Sequence, residues 1–326
     1  MGSFWSTNLP KFGQIFEAIA IFFVVLGFIF FLAGKVNGRR QRPLAIFVLL
    51  GPALVLLFVG LVIPAIQTLF FSFKDDSAQK FVGFKNYVWI ATDPNMHSVL
   101  LNTVLWIAIT PILTTALGLT LAIFLDRMKR ESIPKALIFM PMAISFVGAS
   151  VIWQFVYNYA DPKQPQTGLL STIVRHLGFT PSNWILTSPL NNYLLMIIFV
   201  WVQTGFAMVI LSAAIKAVPA DIVEASALDG ASGFKLFRQI TFPMVRSTFI
   251  VVFATQVVTS LKLFDIVRTM TGGNFGTNVI SNEIYSQIFT KFNEGHGAAL
   301  AIVLFLLVSP ILIYNIRSIR RERSIA

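Results

Sequence analysis

The sequence predicts an all-α integral membrane protein with seven transmembrane helices, its N-terminus outside and its C-terminus in the cytoplasm. Three observations carry that reading. Of the 326 residues, 56% are hydrophobic and only 12% are charged, against about 25% charged in a soluble domain. Apolar runs of about twenty residues recur, the length a helix needs to cross a hydrocarbon core of about 30 Å. The basic residues alternate between heavily and lightly loaded loops, which orients the chain by the positive-inside rule.

In chain order, the expected spans cover about 15–34, 44–73, 99–125, 134–158, 191–215, 247–264 and 298–316. The first is a retained helix and not a signal peptide. Its apolar core from Ile19 to Leu32 is long, and Lys35, Arg39, Arg40 and Arg42 make the wrong flank for cleavage. Loops 35–43, 126–135 and 216–246 and the C-terminal tail hold sixteen Lys and Arg, the opposite side holds eight, and Lys262 falls within a span. The net charge of +11 is thus explained by orientation, without nucleic acid. Pro52, Pro64, Pro111, Pro141 and Pro310 lie inside spans; they read as kinks and together favour a bent bundle.

The outer loops 74–98, 159–190 and 265–297 carry turn formers such as Asp161-Pro162, Thr180-Pro181 and Gly272-Gly273. Trp89, Trp106, Trp153, Tyr157, Trp184, Tyr193 and Trp201 sit near span ends, where an interfacial belt would anchor them. The chain has no cysteine, and His97, His176 and His296 are far apart without metal-ligand spacing. A metalloenzyme is therefore poorly supported.

Segment 216–246 is a polar exception between two apolar stretches. Pro219 suits a first helical turn, where its missing N–H costs nothing. Asp221 and Glu224 suit the positive end of the helix dipole, so a helix is predicted over 219–228. Gly230, after Asp229, can take the left-handed conformation that ends a helix. Ser232 is a candidate N-cap for a second helix running towards Ile240, with Phe234, Phe237 and Ile240 on one face. Pro243 either stops that helix or opens the next span. Such a pair can lie on lipid headgroups or dock on a partner.

The order of residues here resembles the EAA loop of binding-protein-dependent ABC importer permeases. Glu224, Ala225, Gly230, Ile240 and Pro243 match its positions, with Ser226 for the usual second Ala. Asp229-Gly230-Ala231 and Phe237 fit the version found in carbohydrate importers of the maltose and glycerol-phosphate type. "FDIVRTMTGGNFG" (264–276) is similar to the F-D…T-G-G segment of those permeases, with Asn274 and Phe275 where a Pro is common. "NTVLWIAI" (102–109) resembles the start of the permease core.

The resemblance covers about 95–317 and implies a six-helix type I importer core. Residues 1–43 would add an N-terminal helix and basic loop, 44–94 the first core helix and an outer loop, and 318–326 a basic tail. Residues 95–317 would hold the core with coupling loop 216–246. It also implies a bacterial or archaeal cell membrane, and the lipid around it, as the location. The implied partners are separate ABC ATPase subunits, a second permease subunit forming a heterodimer, an extracytoplasmic solute-binding protein and a sugar. ATP and Mg would sit on the ATPase; this chain itself would bind no cofactor, metal or nucleic acid and carry no catalytic residue. Glu224 would pair with a basic residue of the ATPase while Gly230 lets the helix pair turn.

Two features of the sequence agree with an external energy source. The nucleotide-binding pattern G-x-x-x-x-G-K-[ST] is absent, and Asp and Glu are nearly absent from the spans. Intramembrane polar residues usually face a cavity or another helix, which makes Gln154, Tyr157, Gln203, Thr204, Gln256, Thr259 and Ser260 candidates for the substrate pathway. Amides and hydroxyls beside Trp153, Trp201 and Phe206 suit a neutral sugar, although such residues also bond helix to helix. Lys262 either snorkels to the interface or pairs with Asp265 or a charged substrate. A glycerol phosphate would need more fixed positive charge than this one residue. A seven-helix receptor is the other class considered; it leaves the 219–243 pattern without a purpose.

Overall fold

The computed structural model describes residues 42–161 and 163–323, with isolated positions between 14 and 31. About half of the expected first span (15–34) falls outside the described residues, as do 35–41, Pro162 and 324–326. The chain divides into two compact units, Met1–Gln67 and Thr68–Ala326.

The described part of the first unit is helical. Helix α1 (Arg42–Leu57) passes into a π-turn (Phe58–Val62) and then α2 (Ile63–Phe71), which continues into the second unit. Leu54, Val55, Leu56 and Leu57 are all exposed, as suits a helix facing hydrocarbon. The π-turn has a local cause. Pro64 has no N–H for a carbonyl four residues back, and its ring crowds that carbonyl. One widened turn, closed by Ile63 N–H donating to Phe58 O, moves it aside.

The second unit contains α3 (Lys85–Thr92), α4 (Pro94–Leu125), α5 (Ser132–Phe139), α6 (Phe146–Val156), α7 (Leu169–His176), α8 (Leu190–Lys216), α9 (Ala220–Leu228), α10 (Gly233–Leu236), α11 (Phe242–Leu261), α12 (Asp265–Met270), α13 (Ile280–Tyr285) and α14 (Glu294–Arg323). Among the described residues, four helical stretches can cross a membrane by length and composition: Leu50–Phe71, Pro94–Leu125, Leu190–Lys216 and Gly233–Leu261. A fifth crossing is possible if the pair Ser132–Ala143 and Phe146–Val156, bent by 104°, counts as one. The span expected over 134–158, with a kink at Pro141, is thus broken into two helices. Pro141 lies in a 3-10 turn, Met140–Ala143, and the chain restarts at Ser145, whose hydroxyl accepts from Gly148 N at 3.1 Å.

Helices α4, α8 and α11 form the centre of this unit. A Cβ on Gly118 would meet Ala207 Cβ at 2.6 Å, so α4 and α8 approach closely because no side chain intervenes. On α8, a Cβ at Gly205 would meet Ile138 O at 2.5 Å, which seats the bent pair against it. Ala122, Leu125, Ala207, Met208, Leu211 and Val252 fill the half of the core next to loop 216–246. Trp106, Leu195, Ile198, Phe199, Ile266 and Val267 belong to the cluster that fills the other half.

The aromatic belt needs correction at three positions. Trp106, Tyr157 and Trp184 are buried, because each polar edge has an internal partner. Trp106 Nε1 donates to Asn192 Oδ1 at 2.8 Å, Tyr157 OH to Leu194 O at 3.0 Å and Trp184 Nε1 to Ser171 Oγ at 2.7 Å. A buried Trp or Tyr with a satisfied tip is core material.

Candidate functional site

The polar loop after α8 is a helix, a tight turn and a second helix. Pro219 is the N-cap of α9 rather than its first turn, and Asp221 occupies that turn. The C-terminus closes by two bonds: Ala231 N–H to Ser226 O at 2.9 Å and Gly230 N–H to Ala227 O at 3.1 Å. This is the Schellman arrangement. Its pivotal residue is Gly230, with φ +77°, a conformation that costs an L-residue about 1–2 kcal/mol. Ser226 turns its hydroxyl back onto Ile222 O at 2.6 Å, so a small polar residue replaces Ala here without a new partner. Ala225 is exposed and Ala231 is buried under the turn.

Ser232 takes the N-cap position, but its side chain makes no capping bond. The second helix does not stop at Pro243. It runs from Gly233 to Leu261 through a π-turn at Phe237–Thr241, and Pro243 stands in the opening turn of α11. The rings of Phe234, Phe237, Phe242 and Phe249 follow one another at centroid distances of 6.4, 5.8 and 5.5 Å. Ile240 is half-buried beside them. Phe234 and Phe237 also border a cavity of about 360 Å³ shared with Thr120, Ile123 and Arg127 of the α4 end. Towards solvent the loop presents Glu224, Asp229 and the apolar Leu228, which is 91% exposed.

Next to this loop lies a charged cluster that sequence reasoning missed. Lys135 Nζ donates to Asp126 Oδ1 at 2.5 Å, Glu131 Oε2 at 2.7 Å and Ser212 Oγ at 2.7 Å. Lys216 pairs with Glu131 Oε1, and Ser212 Oγ–H donates to Asp126 Oδ1 at 2.7 Å. Hydrogen bonds from Lys135 and Lys216 hold the Glu131 carboxyl down at about 2. The cluster ties the ends of α4 and α8 to α5, immediately before the loop begins. Asp126 and Glu131, acids in a basic loop, were the available signal.

The expected substrate-pathway residues fall into three places. Trp153, Tyr157 and Trp201 come together, with Trp153 5.0 Å from Tyr157 and 5.7 Å from Trp201 between ring centroids. Gln154 ties α6 to α12 through Thr269 O at 3.0 Å, and Thr204 bonds back to Val200 O at 2.6 Å. Gln203 is half-buried on α8. On α11, Gln256 and Ser260 share the buried face. Thr259 lies at its side, bonded to Thr255 O at 2.9 Å, and Ser260 donates to Val257 O at 2.9 Å.

Gln256 differs from the rest: its side chain is fully buried, and among the described residues neither Oε1 nor Nε2 has a partner. Thr114 and Thr115 of α4 carry unpartnered buried hydroxyls too. Val252 packs in one cluster with Ala122 and Leu125, and Gln256 lies one turn further along α11. Thr114 and Thr115 lie about two turns back along α4 from the same cluster. Such groups cost about 1–3 kcal/mol each when unpaired. Lys262, one residue past α11, is exposed and makes no ion pair with Asp265 among the described residues.

The two outer motifs meet in space. Asn102 Nδ2 donates to Gly276 O at 2.7 Å and Asn278 O at 3.0 Å, while its Oδ1 accepts from Asn192 Nδ2 at 2.9 Å. Thr103 Oγ1 accepts from Ile280 N at 3.0 Å. Gly272, Gly273, Phe275 and Gly276 all have positive φ, so the loop is sharply coiled and these amides hold it.

The chain matches the family model for binding-protein-dependent transport system inner membrane components over residues 98–319. It is 46% identical over 274 residues to the osmoprotective compounds uptake permease protein GgtC of Synechocystis sp., spanning 84% of this chain and 98% of that one. It is 42% identical to the alpha-glucoside transport system permease protein AglF of Rhizobium meliloti, spanning 98% and 93%. With the trehalose/maltose transport system permease protein MalF of Thermococcus litoralis it shares 30% identity over 82% and 91%. Among solved structures it resembles a bacterial ABC transporter involved in the import of the acidic polysaccharide alginate, with TM-score 0.75 over 86% of this chain and 96% of that chain. Identity there is 18%, so the likeness is one of fold.

Proposed function

The chain belongs to the family of binding-protein-dependent transport system inner membrane components, and from that premise we propose that it is the permease subunit of an ATP-driven importer of neutral sugars. In this reading the apolar runs give seven spans and the basic-residue bias puts the N-terminus outside. The observation that carries the coupling role is the exposed helix Ala220–Leu228, closed at Gly230 and joined to the span-length helix Gly233–Leu261. A separate ATPase holding ATP and Mg would grip this loop, with Glu224 against a basic residue. Its rotation would switch the bundle as a rigid body between outward and inward access.

A second permease subunit, as a sister chain, and an extracytoplasmic solute-binding protein complete the machine. Relatives named for alpha-glucoside and for trehalose/maltose transport support a sugar cargo. So does the pathway chemistry: Gln203, Thr204, Gln256 and Ser260 bring amides and hydroxyls, Trp153 brings an aromatic face, and no fixed positive charge stands among them. An anionic cargo such as a glycerol phosphate would need one.

The test is uptake into proteoliposomes holding the full complex. Gly230→Pro cannot adopt φ +77°, and Glu224→Lys reverses the charge. Each variant should insert normally yet hydrolyse ATP without importing sugar. Normal uptake by both would remove the coupling assignment, and preference for a phosphorylated over a neutral sugar would remove the cargo assignment.

A further inference from the structure

A polar cavity of about 570 Å³ opens between α3, the start of α4, the coiled loop 273–278 and the start of α14. It is distinct from the pathway residues described above, and its size falls within the range of about 300–1,000 Å³ typical of small-molecule sites. Both of its carboxylates are engaged by hydrogen bonds. Glu283, whose side chain is 5% exposed, receives Lys291 Nζ at 2.8 Å, Gln287 Nε2 at 2.7 Å and Asn278 Nδ2 at 2.6 Å. Asp93 receives Asn95 N at 2.7 Å, Met96 N at 3.3 Å and Trp89 Nε1 at 3.2 Å. Lys291 thus balances Glu283, and Asp93 is held by neutral donors alone.

Neutral hydrogen-bonding capacity is what remains. Gln287 is buried and spends Nε2 on Glu283, leaving Oε1 without a partner among the described residues. The amide of Asn95 and the hydroxyl of Ser98 are exposed along the wall. Trp89 and His296 stack as one aromatic plate, centroids 3.8 Å apart and 2° from parallel, and the Asp93 bond locks the indole in place. Preset amides and hydroxyls beside a locked aromatic plate fit a ligand with hydroxyl groups and apolar ring faces. A second cavity of about 330 Å³ shares Ser98, Asn102 and Gly276 and leads on to Asn192 and Tyr193.

We propose that this cavity is a second carbohydrate site, on the extracytoplasmic face, which takes neutral sugar rings before they pass into the bundle. This rests on the sugar-importer reading and adds a place where the cargo pauses.

The test uses the full transporter in lipid nanodiscs without the binding protein, labelled with 5-fluorotryptophan. The Trp89 resonance is the one lost in Trp89→Phe. Titrated trehalose or maltose should shift it saturably. Ser98→Phe, which fills the cavity, should weaken the response about tenfold or more. Asn95→Ala, which alters one exposed side chain, should weaken it severalfold. An unmoved Trp89 signal, while the same complex imports the sugar once placed in proteoliposomes with the binding protein, overturns the site and leaves the importer reading standing. A shift seen only on adding sugar-free binding protein also overturns it, and makes the cavity a protein-docking surface. If the wild-type complex imports neither sugar, both readings fall together.

Discussion

Glu131 shows how much a single side chain can join. It accepts from Lys135 and Lys216, one on the bent pair and one at the mouth of the coupling loop. Its carboxyl is held at about 2 against an ordinary 4.5. A depressed carboxylate stabilises the fold above its unfolded value, and that contribution is lost as pH falls from about 4.5 to about 2. Glu131→Gln should therefore lower the thermal midpoint of the detergent-purified protein by the same amount at pH 8 and pH 5. A gap between variant and wild type that closes already at pH 5 would contradict this assignment. The sequence displayed Glu131 only as one acid in a basic loop. Its second partner is 85 residues away, and a spacing that long has no local signature.

At the scale of elements, legibility followed locality. Helix 219–228, its Gly230 stop and the start near Ser232 could be read because turn chemistry is set by neighbours. The 104° bend between Ser132–Ala143 and Phe146–Val156 was not readable, although Pro141 marked the place. Its angle depends on α8, where Gly205 admits the backbone of Ile138 and Phe139. The two π-turns before Pro64 and Pro243 share one arrangement, each closed by the residue just before the proline. Pro243→Ala removes the reason for the second. That turn should then relax to ordinary α-helix, rotating residues 233–240 relative to α11 and misaligning the coupling helix. We expect more ATP hydrolysed per sugar imported in proteoliposomes, and an unchanged ratio would show that the π-turn has no part in coupling.

For the whole molecule, the basic-residue bias predicts sidedness, and the absence of cysteine makes it testable without a background signal. Ser77→Cys and Thr167→Cys should react with a membrane-impermeant maleimide on intact cells, and Asp229→Cys only after permeabilisation. The reverse pattern would invert the topology and detach loop 216–246 from any cytoplasmic ATPase. The run from Gly233 to Leu261 is 29 residues, roughly 43 Å of helix, with no break in its backbone. One end is built into the loop that a motor would hold. The other stops at Leu261, and the short helix α12 separates it from the coil that Asn102 fastens. Twist applied below thus cannot dissipate at a joint on the way up. It has to be taken up sideways, in the packing around Gln256, and a side chain with no fixed partner there is free to find a different one at each end of the stroke.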